Sequence, residues 1–314
     1  MRNFNARDAY AQGLTPQQLW QRTRAGLVTR LSRDVYVQGQ ANTLALRADA
    51  LGQLLPRHVV IGRRSAAWLW GLDVLPPGQR AEAWPVELLV PADRVPPRRP
   101  GCLGFSTDLP RSDVTETMDT RVTTVERTAL DCARWLPRLE AVAALDQFLR
   151  RGVDQGTLAR RARVLAGRRN ARQLREVIAL GDAGAASPPE SWTRAIIVDA
   201  GFPRPVTQLR VPAPDSGSYF LDLALPEHLV AVEYDGEPFH SSPEDRRYDE
   251  TRRAWIRRLG WEIIVVTEAE VLGDVRPFFH ALADVLLSRG WKPDDATLDL
   301  VMTRIAYGFP ATGR

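Results

Sequence analysis

The sequence predicts an α/β protein, α+β overall, built in three successive parts. Three observations carry this. The first 55 residues read as helix, short turn, helix and hairpin. Two short apolar runs, Tyr219–Leu225 and Leu229–Asp235, have strand composition, with turn-type residues Pro226, Glu227 and His228 between them. Gly181–Pro189, rich in Gly, Ala, Ser and Pro, reads as the clearest boundary between packed regions. The expected divisions are 1–55, 56–182 and 187–290, with a tail at 291–314.

Composition narrows the class. A chain of 314 residues with 44% hydrophobic residues can build two or three packed cores. The net charge of +4 is weak evidence for an anionic partner. Lys292 is the only lysine, so the positive charge is almost all arginine and reads as a composition bias. Cys102 and Cys132 sit in no metal-ligand spacing, and each is expected to be a buried structural thiol. No apolar run of 18 residues occurs and no apolar leader opens the chain, so a soluble cytoplasmic protein without a membrane span is expected.

In the first part, Arg7–Gln12 reads as a short helix stopped by Gly13. Thr15-Pro16-Gln17-Gln18 is a strong helix start, with Thr as N-cap, Pro at the first turn and Gln at the capping-box position. Leu19, Trp20 and Thr23 are expected to face inward. Leu27–Leu31 and Val35–Val37 then form a hairpin around Ser32-Arg33-Asp34. That order is the order of a winged helix-turn-helix. Its second helix would present Gln17, Gln21, Arg22 and Arg24 to the phosphates and base edges of DNA.

The middle part is expected to be α+β. Val86–Val90 and Arg121–Val125 read as strands, and Glu126–Ala133 as a helix in which Arg127 and Asp131, four apart, form a salt bridge. No catalytic constellation is visible there.

In the third part, Ser187 caps a helix with Pro188 at its first position and Glu190 at the capping-box position. Read from spacing alone, Glu190 caps the helix. Alternate residues of a strand share a face. A four-residue loop at Pro226–Leu229 would set Leu225 opposite Val230, and hence Asp222 opposite Glu233. Asp222, Glu233 and Asp235 would then converge on one side of the sheet. Three close carboxylates repel, and a hard divalent cation relieves that repulsion. A long helix from Pro243 to Leu259 carries six arginines; Arg252 and Arg253 fall on a side with Asp245 and Asp249 and are expected to hold DNA phosphates, while Tyr248, Trp255 and Leu259 are expected to pack inward.

The pattern Asp222, Glu233-x-Asp235-Gly236, His240, Asp245, Arg252 and Gly260-Trp261 resembles the DUF559 family. That family is similar to very-short-patch-repair endonucleases and has the PD-(D/E)xK, restriction-endonuclease-like fold. The resemblance implies a mixed sheet flanked by helices, with Mg2+ or Mn2+ on Asp222 and Glu233 and with Glu190 nearby. Asp235 occupies the position where the family pattern usually has lysine, and His240 would take over as the base. The first two parts resemble AbiEi-type antitoxins, through the wing Ser32–Val37 and the segment Arg121–Ala133.

Two functions follow as expectations. The first is metal-dependent hydrolysis of DNA, in phage defence or repair. The second is a DNA-binding regulator, the antitoxin of a toxin–antitoxin pair, whose nuclease-like part is inactive. The expected partners are DNA and a toxin or defence protein.

Overall fold

A computed structural model of the chain describes residues 3–32, 35–39, 43–74, 76, 84–117, 120–235 and 243–309. It is mixed α/β and divides into two compact units, Met1–Ala179 and Leu180–Arg314.

The first unit opens with β1 (Asn3–Asn5), α1 (Ala6–Ala11), α2 (Pro16–Arg24), β2 (Val28–Ser32) and β3 (Val35–Gln38). Local chemistry fixes the start of α2. Thr15 Oγ1 accepts from the Gln18 amide (3.2 Å), and Gln18 Oε1 accepts from the Thr15 amide (2.8 Å), closing a capping box over Pro16. Past the helix, Gly26 takes a left-handed backbone (φ 72°), and the Leu27 amide donates back to the Arg22 carbonyl at 3.0 Å. The strands pair antiparallel in the order β1-β3-β2. Phe4, Ala9, Leu19, Val28 and Tyr36 form the small core beneath them.

α3 (Leu44–Leu54), capped by Thr43, packs on a five-stranded sheet made of β4 (Val60–Ile61), β5 (Val86–Pro91), β6 (Cys102–Thr107), β7 (Val114–Thr117) and β8 (Thr120–Thr123). The strand order is β6-β5-β4-β8-β7. A Cβ on Gly52 would lie 2.0 Å from Thr120 Cγ2, so only glycine lets α3 come this close to β8. Val35 of β3 belongs to the same core cluster as Leu44, Leu88 and Val122. α4 (Arg63–Leu69), α5 (Val125–Trp135), α6 (Arg138–Arg150), α7 (Gln155–Val164) and α8 (Ala171–Leu180) complete the region.

The second unit has α9 (Pro188–Asp199), then β9 (Val206–Pro212), β10 (Ser218–Leu225) and β11 (Val230–Asp235). α10 (Pro243–Arg258), β12 (Glu262–Thr267), α11 (Glu268–Leu272), α12 (Arg276–Ser288) and α13 (Asp295–Tyr307) follow. The sheet is mixed, in the order β12-β11-β10-β9, with β11 and β12 parallel and the other pairs antiparallel. Pro226–His228 makes one 3₁₀ turn and Leu229 is left-handed (φ 52°), so Leu225 stands opposite Val230, as the loop length predicts.

One expectation fails in this unit. Tyr248 of α10 does not pack inward: it is 59% exposed and meets Tyr219 edge-on, while Ile256 of that helix is fully buried. The polar region after Gly290, in which Leu298–Ile305 reads as helical, forms α13, which buries Val301 and packs on α12. Lys292 lies exposed in the short link between those two helices. No helix among the described residues is long and apolar enough to cross a membrane.

Candidate functional site

The first candidate surface is α2. Gln17, Gln21, Arg22 and Arg24 are all exposed on it, and the helix carries no carboxylate. Leu19 is its one buried residue, and Thr23 Oγ1 is tied to the Leu19 carbonyl (2.8 Å). Trp20, expected to face inward, is 58% exposed instead, with the Arg24 guanidinium 5.2 Å from the ring centre. The reason is geometric. Leu19 already fills the contact with the small sheet, and a neighbour one residue on points about 100° away. Arg33 and Asp34, at the tip of the wing, lie outside the described residues.

The second candidate is the acid cluster of the second unit. Leu223 faces Val232 across β10 and β11, so Asp222 and Glu233 are the next pair and share the other face. Gln208 of β9, in the left-handed region (φ 49°), donates through Nε2 to Glu190 Oε2 (3.0 Å) and Asp222 Oδ1 (3.4 Å). Glu190 also caps its own helix: Oε1 accepts from Ser187 Oγ and Oε2 from the Ala186 amide, both at 2.9 Å. The cap and the acid facing the cluster are therefore the same carboxylate. Glu233, only 4% exposed, accepts from Arg252 Nη1 (2.6 Å) and Arg253 Nε (3.2 Å). Arg252 is itself fixed by donating through Nη2 to the Phe220 carbonyl (2.6 Å).

Asp222 is the unbalanced member of this group. Burial pushes its carboxyl up to about 6, with Glu190 and Glu233 adding to the shift and Arg252 opposing it. Asp235 stands apart, half exposed, with Arg253 Nη2 3.7 Å from its Oδ2. His240 lies outside the described residues.

These donors do not fit a divalent cation as they stand. Both oxygens of Glu233 are held by guanidinium groups and both of Glu190 by N–H or O–H donors, which leaves Asp222 as the least engaged carboxylate. Among the described residues, no group of three or more His, Cys, Asp or Glu stands in position to hold a metal ion. Arginines occupy the place that the resemblance assigns to Mg2+ or Mn2+.

A third set of charges, in the first unit, is structural. Arg127 donates to Asp131 Oδ2 (3.0 Å), as its spacing predicts, and also to Asp113 Oδ2 (2.8 Å), whose Oδ1 is bound by Arg161. Burial opposes the charge on Arg127, but Asp131 and Asp113 outweigh that and hold the guanidinium above its ordinary value. Sequence reasoning missed Glu87, buried on β5, which accepts from the Arg64 amide (2.7 Å) and whose own amide donates to Ser65 Oγ (2.9 Å). The signal was available, as a lone acid within an otherwise apolar run of strand composition. Cys132 is fully buried and its thiol is pushed up by burial, which suits an inert core residue.

Residues 59–180 match a protein-family model. That model is the AbiEi antitoxin C-terminal domain. The match begins after α3 and ends before α9, so it does not extend onto the residues that carry the nuclease resemblance. Two relatives from Mycobacterium tuberculosis, the uncharacterized proteins MT2308 (strain CDC 1551) and Rv2248 (strain H37Rv), are each 28% identical over 269 residues. That stretch spans 84% of this chain and 92% of each relative.

Proposed function

We propose that this chain is a DNA-binding regulator of the antitoxin kind. Its helix-turn-helix would take duplex DNA, and residues 59–180 would engage a toxin partner. One observation carries the reading. An exposed, carboxylate-free helix, α2, follows α1 across a tight turn, in the same compact unit as the residues that match an antitoxin domain. Arg22 and Arg24 supply charge for phosphates, and Gln17 and Gln21 supply amides that can pair with adenine edges.

A second reading, cleavage of DNA by the second unit, is favoured by the convergence of Glu190, Asp222 and Glu233 on one face. It requires Arg252 and Arg253 to release Glu233.

One experiment separates the two. Fluorescence anisotropy of the full chain on duplexes from its own promoter region, in EDTA, should show selective binding over a scrambled duplex by at least about 10³-fold at moderate salt. The same protein with Mn2+ and supercoiled plasmid should leave the plasmid intact. Plasmid nicking that is abolished by Glu233→Gln would transfer the function to the acid cluster. Binding no tighter than to the scrambled duplex would remove the regulator reading.

A further inference from the structure

We propose that Trp20 is a specificity-determining residue, the apolar reader of base edges on α2. The inference rests on the DNA-binding reading above and assigns the contact within it. On a helix, residues at i, i+3, i+4 and i+7 share one face. Gln17, Trp20, Gln21 and Arg24 have that spacing and all four are exposed. Leu19 points to the opposite, packed side, with Thr23 and the exposed Arg22 on either side of it and away from the stripe. The outward stripe is therefore two amides, an indole and a guanidinium.

The stripe is pre-ordered. The capping box and Pro16 set the start of the helix, and Leu19 anchors its inner face. The guanidinium of Arg24 lies over the indole of Trp20, 5.2 Å from the ring centre, which restrains both side chains. At 58% exposure the indole of Trp20 presents apolar surface within this polar stripe, open to a neighbour. Charge selects the occupant. The helix carries Arg22 and Arg24 and no Asp or Glu, so its neighbour should be a polyanion with some apolar surface. The major groove of duplex DNA supplies both, since adenine pairs with glutamine amides, guanine with arginine, and the thymine methyl is an apolar contact. A second copy of this chain or a partner protein are the competing occupants.

The test compares wild type with Trp20→Ala, Trp20→Phe and Arg22→Ala on the selected duplex and on a scrambled one, across a salt series. Trp20→Ala should weaken the selected duplex about 10-fold or more, leave the scrambled one within about 2-fold and keep the salt slope. Trp20→Phe should recover part of the loss. Arg22→Ala should weaken both duplexes alike and lower the salt slope by about 1. Replacing thymine by uracil in the selected duplex should weaken wild type more than Trp20→Ala. Helicity by circular dichroism should be equal throughout. Equal loss on both duplexes, or no loss, overturns the assignment to Trp20 while leaving DNA binding intact. A fall in oligomer mass with Trp20→Ala, with DNA selectivity kept, gives the face to a second copy. Absence of selective binding by wild type sinks both this inference and the reading on which it rests.

Discussion

Asp113 and Asp131 in the first unit meet Arg127 and Arg161, while Glu190, Asp222 and Glu233 in the second meet Arg252 and Arg253. Both groups are buried carboxylates answered by arginine, but the charge counts differ. In the first, two acids meet two guanidiniums, and Arg127 bridges both acids at once. In the second, three acids stand beside two guanidiniums, both of which donate to Glu233, and among the described residues Asp222 accepts from the amide of Gln208. Burial raises carboxyls in both groups, but at Asp222 two neighbouring acids add to it, whereas at Asp131 the guanidinium of Arg127 is the first force against it.

That contrast can be broken most sharply at Arg127. Arg127→Met leaves Asp113 with Arg161 alone and Asp131 with no hydrogen-bonded cation, and should cost about 3–5 kcal/mol in urea denaturation followed through the first unit. A cost below about 1 kcal/mol would mean that the network is incidental. A smaller and opposite effect is expected at Asp222. Its folded-state carboxyl titrates at about 6, against an ordinary 3.8, so the folded state holds its proton more tightly than the unfolded state does. Stability from this group is therefore present below about pH 4 and is lost as pH rises towards 6, and a constant penalty remains above that. Asp222→Asn should stabilise the second unit by about 1–2 kcal/mol at pH 8, the value allowing for partial solvent screening, and change nothing near pH 3.5. A pH-independent difference would show that the acids do not sense one another. Smallest is Thr15→Ala, which removes half of a capping box. It should lower the stability of the first unit by about 1 kcal/mol in thermal denaturation, and leave the acid groups of both units unaffected.

The features legible in the sequence were those set by local spacing. The capping box at Thr15, the N-cap at Ser187, the salt bridge between Arg127 and Asp131, and the register that brings Asp222 opposite Glu233 all follow from offsets of a few residues or from one turn length. What escaped depends on distance along the chain or on which neighbour arrives first. Arg161 reaches Asp113 from 48 residues away, and no periodicity announces it. Arg252 and Arg253 were placed beside the acids, but that they would saturate Glu233 depends on how α10 docks on the sheet. Trp20 and Tyr248 mislead for one reason. A large aromatic residue reads as core, yet each lies on a helix whose packing stripe is already filled by an aliphatic residue, Leu19 or Ile256.

The arginine bias has a practical side. Guanidinium groups do not react with amine-directed reagents at neutral pH, and the chain offers a single ε-amine, Lys292, exposed in the link between α12 and α13. An activated-ester dye or a surface tether therefore has one side chain to attach through, in the second unit, beside the α-amine of the chain, and every side chain of the first unit stays chemically unchanged.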